Sequence, residues 1–195
     1  MAAPTLRREL TTAAPFALAA ILVWSGGVLA RRATGAPGTP EPAPWQRSYL
    51  ELPVGEQRLY RQVREGIFEA ENARGATKRW PEVAELAGDG IPPFAADALT
   101  PPLQWSRAQQ GVYVTYLGVP SGGATSQRWL VLFIEPEPSA LNARGASPPV
   151  DEEHHTLPDG TALHVTVWTE PNAGPLPKGV LAFPVAEGWT QRLGR

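Results

Sequence analysis

Every histidine in the chain falls in one short stretch: His154, His155 and His164. The first two follow an acidic run, Asp151-Glu152-Glu153. The third follows Leu157-Pro158-Asp159-Gly160. Pro-Asp-Gly between extended runs favours a type I turn with Gly160 left-handed, closing a three-residue hairpin loop. That register pairs Leu157 with Thr161, sets His154 opposite His164 and sets Glu152 opposite Thr166. Alternation along each strand then places His154, His164 and Glu152 on one face. Cross-strand Cβ atoms sit ~5 Å apart, so two imidazoles can converge on one ion with Glu152 diagonally in reach. A two- or four-residue loop would bring His155 opposite His164 instead. One histidine pair results either way.

Two histidines and a carboxylate suit zinc, and they also suit copper(II) or nickel(II). The candidate metal ligands are therefore His154, His155, His164 and Glu152, with zinc the expected cofactor. A complete site needs a fourth ligand or water, and Glu170, Asp159 or a partner protein are the sources in view. A plainer alternative stands beside this one: histidines and acids near a turn can simply solvate a sheet face, the acids raising the histidine pKa.

Catalysis has little to draw on. Thr156 is the one hydroxyl beside the histidines, and alternation turns it away from His154. There is no G-x-S-x-G elbow, P-loop or dinucleotide glycine fingerprint. The glycines of Pro120–Ser126 sit between two strands and lack the lysine of a phosphate cradle. No catalytic residue is expected, and the chain is read as not an enzyme. With no cysteine, thiolate chemistry and disulfide scaffolds are excluded. A net charge of −2 and the lack of a basic patch argue against nucleic acid as a partner.

The elements that must carry this hairpin follow from patterning. Glu56 to Arg74 places Leu59, Val63, Ile67 and Ala70 on one helical stripe, with Tyr60 and Phe68 flanking. Gly66 is a blemish in that helix and Gly75 its natural stop. A short helix is expected over Pro81–Ala87. Strands are expected at Gly111–Val119, at the almost wholly apolar Gln127–Glu135, at His154–Leu157 and at Thr161–Thr169, with a last short one at Val180–Val185. Trp168 shares the predicted His164 face, so that face is either partly covered or a partner surface. Helices first and strands afterwards give an α+β class: one main amphipathic helix packed on an antiparallel sheet of about four to five strands.

Upstream, Leu10 to Ala30 carries no charge and would span about 31 Å as a helix, close to the ~30 Å hydrocarbon core. Arg7-Arg8 and Arg31-Arg32 bracket it. Pro37, Pro40, Pro42 and Pro44 then make an extended tether. The expected organisation is a cytoplasmic head (1–9), a transmembrane helix (10–30), a tether (31–44) and an extracytoplasmic domain (45–195). Both ends of the span carry arginines, and the short head favours an N-in orientation. The competing reading is a signal peptide cleaved after Val28-Leu29-Ala30, leaving a secreted or periplasmic domain.

The stretches GVYVTYLGVPSG, WLVLFIEPEP and DEEHHTLPDGTALHV resemble a family of bacterial single-pass envelope proteins carrying a domain of unknown function. The resemblance covers Glu51 to Pro171 and implies an association with metal-uptake gene neighbourhoods. It brings no catalytic residues. The expected function is thus an accessory protein of the inner membrane, its C-terminal domain periplasmic, handling zinc or another transition metal beside an envelope protein partner. The alternative is a non-catalytic envelope scaffold with no metal site.

Overall fold

The computed structural model describes residues 41–121, 127–137 and 151–195. The elements below belong to the unit Pro42–Arg195. In chain order they are β1 (Gln46–Ser48), a 3-10 turn (Tyr49–Glu51), α1 (Val54–Thr77), α2 (Val83–Gly88), β2 (Leu103–Gln110), β3 (Tyr113–Pro120), β4 (Gln127–Ile134), β5 (His154–Thr156), β6 (Ala162–Pro171), a 3-10 turn (Pro184–Glu187) and β7 (Thr190–Leu193).

The seven strands form one sheet in the order β1-β7-β6-β4-β3-β2, with β5 also paired to β6. β1 and β7 run parallel, whereas β2, β3, β4 and β6 form an antiparallel series. This corrects the expectation of an antiparallel sheet of about four to five strands: the sheet is mixed and has seven. The extra strands carry weak sequence signals. β1 reads QRS and β7 reads TQRL, too short and polar to alternate visibly. β2 reads LQWSRAQQ and lacks β-branched residues. Among the described residues no helix is long and apolar enough to cross a membrane. The expected span, Leu10–Ala30, and the signal-cleavage alternative lie outside the described residues.

α1 packs its predicted stripe on one sheet face. Leu59, Val63, Ile67 and Ala70 are buried, as are Trp129, Val131 and Phe133 of β4 and Leu163, Val165 and Val167 of β6 in the same cluster. Burial of each large side chain stabilises by about 1.5–3 kcal/mol. The opposite face has its own cluster of Leu130, Leu132, Trp168, Leu181 and Trp189. Its cover comes from the chain between β6 and β7. The expected strand at Val180–Val185 is absent there: Pro184 instead starts a 3-10 turn. Proline lacks the N–H a ladder needs, and its fixed φ suits a turn.

α1 runs past Gly75 and ends at Lys78, which takes the left-handed conformation at φ 61. Side chains pay a steric cost there that glycine does not. The Lys78 ammonium meets Asp159 at 2.6 Å, but the lysine is mostly exposed and such pairs contribute little. Lys78→Gly is therefore expected to stabilise the domain by about 0.5–1 kcal/mol. A thermal melt reads this directly, and a lowered midpoint would show that the ion pair outweighs the backbone strain.

Candidate functional site

The hairpin takes the register that its turn predicts. His154 pairs with His164, His155 with Leu163 and Thr156 with Ala162. Leu157 N–H donates to Thr161 O at 2.9 Å, Gly160 N–H donates to Leu157 O at 2.8 Å, and Gly160 sits at φ 85. The His154 and His164 rings come together with centroids 4.9 Å apart, tilted by 56°. They stand on the sheet face opposite α1, at the end of β6 away from Trp168.

The run before β5 departs from simple alternation. Asp151 Oδ1 accepts from Glu153 N–H at 2.9 Å and from His154 N–H at 3.0 Å. This side-chain turn competes with the extended backbone and breaks the face pattern just before His154. The same oxygen lies 2.8 Å from His154 Nδ1. Desolvation raises the Asp151 carboxyl, but its bonds to His154 and to two amides outweigh that and hold the pKa below the ordinary value.

The predicted ligands consequently separate. His154 and His164 share a face, but Glu152 does not join them: its Oε2 accepts from Gly194 N–H at 2.5 Å. Glu153 takes the expected place, with its Oε2 3.7 Å from His164 Nε2. His155 turns to α1, where its Nδ1 lies 2.5 Å from Glu71 Oε1 and its Nε2 lies 3.2 Å from Glu152 O. Glu152 and His155 thus serve the packing of β5 against its neighbours. Asp159, the proposed extra ligand, holds Lys78. Glu170, the other, holds Arg128 at 3.0 Å.

Electrostatics favours a neutral His164. Its half-buried imidazole is pushed below its ordinary pKa, chiefly by desolvation, while the Glu153 charge pulls the other way. A neutral ring keeps a lone pair available as a ligand. Among the described residues, no three His, Asp or Glu side chains are grouped so as to hold a metal ion as they stand.

Comparison with known protein families matches residues 46–193 to a family of unknown function, DUF6162. The chain belongs to this family. The DUF6162 match opens on the first residue of β1 and closes on the last of β7, so it spans the sheet from its first strand to its last. The hairpin lies inside it. No curated protein matches the chain, and no solved structure does.

Three residues around the pair escape a reading based on spacing alone: Asp151, Glu153 and Gln191. An Asp three positions before a histidine is a signal for a local turn that fixes the ring. Gln191 carries no comparable signal, because its approach to Glu153 comes from β7, remote in sequence.

Proposed function

We propose that this DUF6162 chain is a membrane-tethered extracytoplasmic accessory protein that binds a transition metal, zinc foremost, through His154 and His164. The observation that carries the proposal is the 4.9 Å separation of the two rings. With Zn–N bonds near 2.0–2.1 Å, two imidazoles on one tetrahedral ion have centroids about 5 Å apart. The Asp151 bond to His154 Nδ1 supports the reading further, since a carboxylate on one ring nitrogen frees the other as ligand. Glu153 offers a third donor: its 3.7 Å distance to His164 need shorten only to the ~3.3 Å that two ligand atoms have on one tetrahedral zinc. Water would complete the coordination.

The envelope setting rests on the sequence of residues 10–30 and on the resemblance to bacterial single-pass proteins near metal-uptake genes. A tether of this kind suits an accessory to a membrane machine.

The test is metal analysis of the full chain after zinc loading and gel filtration. Wild type is expected to retain one zinc, and His154→Ala/His164→Ala to retain none. His155→Ala and Glu152→Ala, whose side chains have other partners, are expected to keep the metal. Equal and negligible zinc in wild type and the double variant would sink the reading.

A second reading, a non-catalytic scaffold with an envelope protein partner, is favoured by Leu176, Phe183 and Val185. All three are exposed on the segment that covers the second sheet face. A stoichiometric partner that is retained in chelator and with the double histidine variant would select it.

A further inference from the structure

We propose that Gln191 is a positioning residue for this hairpin, one that aims Glu153 at His164 and ties the ligand set to β1. The proposal rests on the metal reading above. Gln191 lies on β7 at 4% exposure, in register with Gln46 of the parallel strand β1. A buried amide costs free energy unless its donors and acceptor are met. Here they are met in a single directed order. Ala43 N–H donates to Gln46 Oε1 at 3.0 Å, so the Gln46 amide nitrogen must face the other way. It donates to Gln191 Oε1 at 3.0 Å. That contact occupies the Gln191 carbonyl and turns its own nitrogen outward. Gln191 Nε2 then donates to Glu153 Oε1 at 2.8 Å.

The relay ends on the hairpin. With Oε1 held by Gln191, the other Glu153 oxygen, Oε2, is the one that faces His164. Glutamate has several rotatable bonds, and ordering it at the moment of binding would cost side-chain entropy. Gln191 meets that cost in advance, as outer-shell partners do for ligating carboxylates. The sheet supplies the reason for this route. β5 and β7 both pair with β6, so the run before β5 and the side chains of β7 meet beside one another. The relay's far end is β1, a three-residue strand just after the tether. Metal on the hairpin therefore favours a docked β1, and by linkage a docked β1 favours metal.

The experiment is a zinc titration of the full chain against a competing chelator, with cobalt(II) absorption reporting the ligand set and a thermal melt reporting the fold. Gln191→Leu is expected to weaken zinc binding by about 10- to 100-fold and to change the cobalt spectrum as Glu153→Gln does. On a Glu153→Gln background, Gln191→Leu should cost almost no further affinity, because the two residues act as one unit. A residue that merely supports the fold would lower affinity on both backgrounds alike. Gln46→Leu, on the outermost strand, gives a second reading of the same relay should Gln191→Leu fail to fold. Zinc affinity and cobalt spectrum unchanged by Gln191→Leu, or an equal loss on the Glu153→Gln background, would overturn the proposal while leaving the histidine site standing. Absence of zinc binding by wild type would remove the histidine site and this proposal together.

Discussion

Arg128→Met is expected to destabilise the domain by about 3–5 kcal/mol, the cost of stripping one partner from a buried charge pair. The Arg128 side chain is only 5% exposed, although it sits in the apolar strand β4. Its guanidinium is matched on several sides. Glu170 of β6 takes one N–H at 3.0 Å and Asn172 Oδ1 takes another at 2.9 Å. Pro175 O accepts at 3.0 Å and Gly174 O at 2.7 Å. The planar fork of arginine suits such a set, and a lysine would serve only part of it. Methionine fills much of the volume but leaves Glu170 and two carbonyls without their donor. The loss reaches beyond local stability. The chain after β6 supplies Leu181 and Trp189 to the second sheet face, and Arg128 anchors its start. Chemical denaturation of both proteins checks the figure. The control is Arg128→Met/Glu170→Met, which removes both charges and is expected to recover a good part of the loss. A single variant within 1 kcal/mol of wild type, an allowance typical of exposed pairs, would mean the guanidinium is solvated rather than buried.

Structure is legible from the residues where one local rule governs, and hidden where distant segments meet. The α1 stripe is legible because Leu59, Val63, Ile67 and Ala70 repeat at helical spacing, and all four are buried. The hairpin register is legible because Pro158-Asp159-Gly160 fixes the loop length, and loop length fixes pairing. The face of Glu152 is misread because alternation holds only inside a strand, and Asp151 folds its own carboxylate back onto the next amides. β1 and β7 escape because a parallel pair joins the two ends of the domain and leaves no local pattern. The second core face escapes for a similar reason. Its cover, Leu181 and Trp189, flanks a short 3-10 turn and carries no periodic pattern of its own.

Gly66 shows the same limit with a sign attached. Helix propensity alone makes Gly66→Ala stabilising by about 1 kcal/mol, since glycine is a poor interior helix residue. The packing reverses the expectation. A Cβ at position 66 would lie 2.7 Å from Pro92 O, 2.9 Å from Phe94 Cε2 and 3.0 Å from Pro93 Cδ. The first of these is backbone and cannot rotate aside. Relief would require moving the Pro92–Phe94 segment off α1. That segment seats Phe94 against Trp105, with centroids 5.2 Å apart, and against Tyr116 at 5.4 Å. Gly66→Ala is thus expected to destabilise by about 1–3 kcal/mol, the usual cost of overpacking, and Gly66→Val by more. Gly55 provides the contrast within the same helix, because a Cβ there meets nothing within 4 Å. Gly55→Ala is expected to raise the denaturation midpoint by the ordinary helix-propensity gain. Matched gains at both positions would show that α1 does not rest on the proline segment. Opposite signs would establish that the glycine a propensity scale counts against α1 is what lets it approach the chain that closes over it.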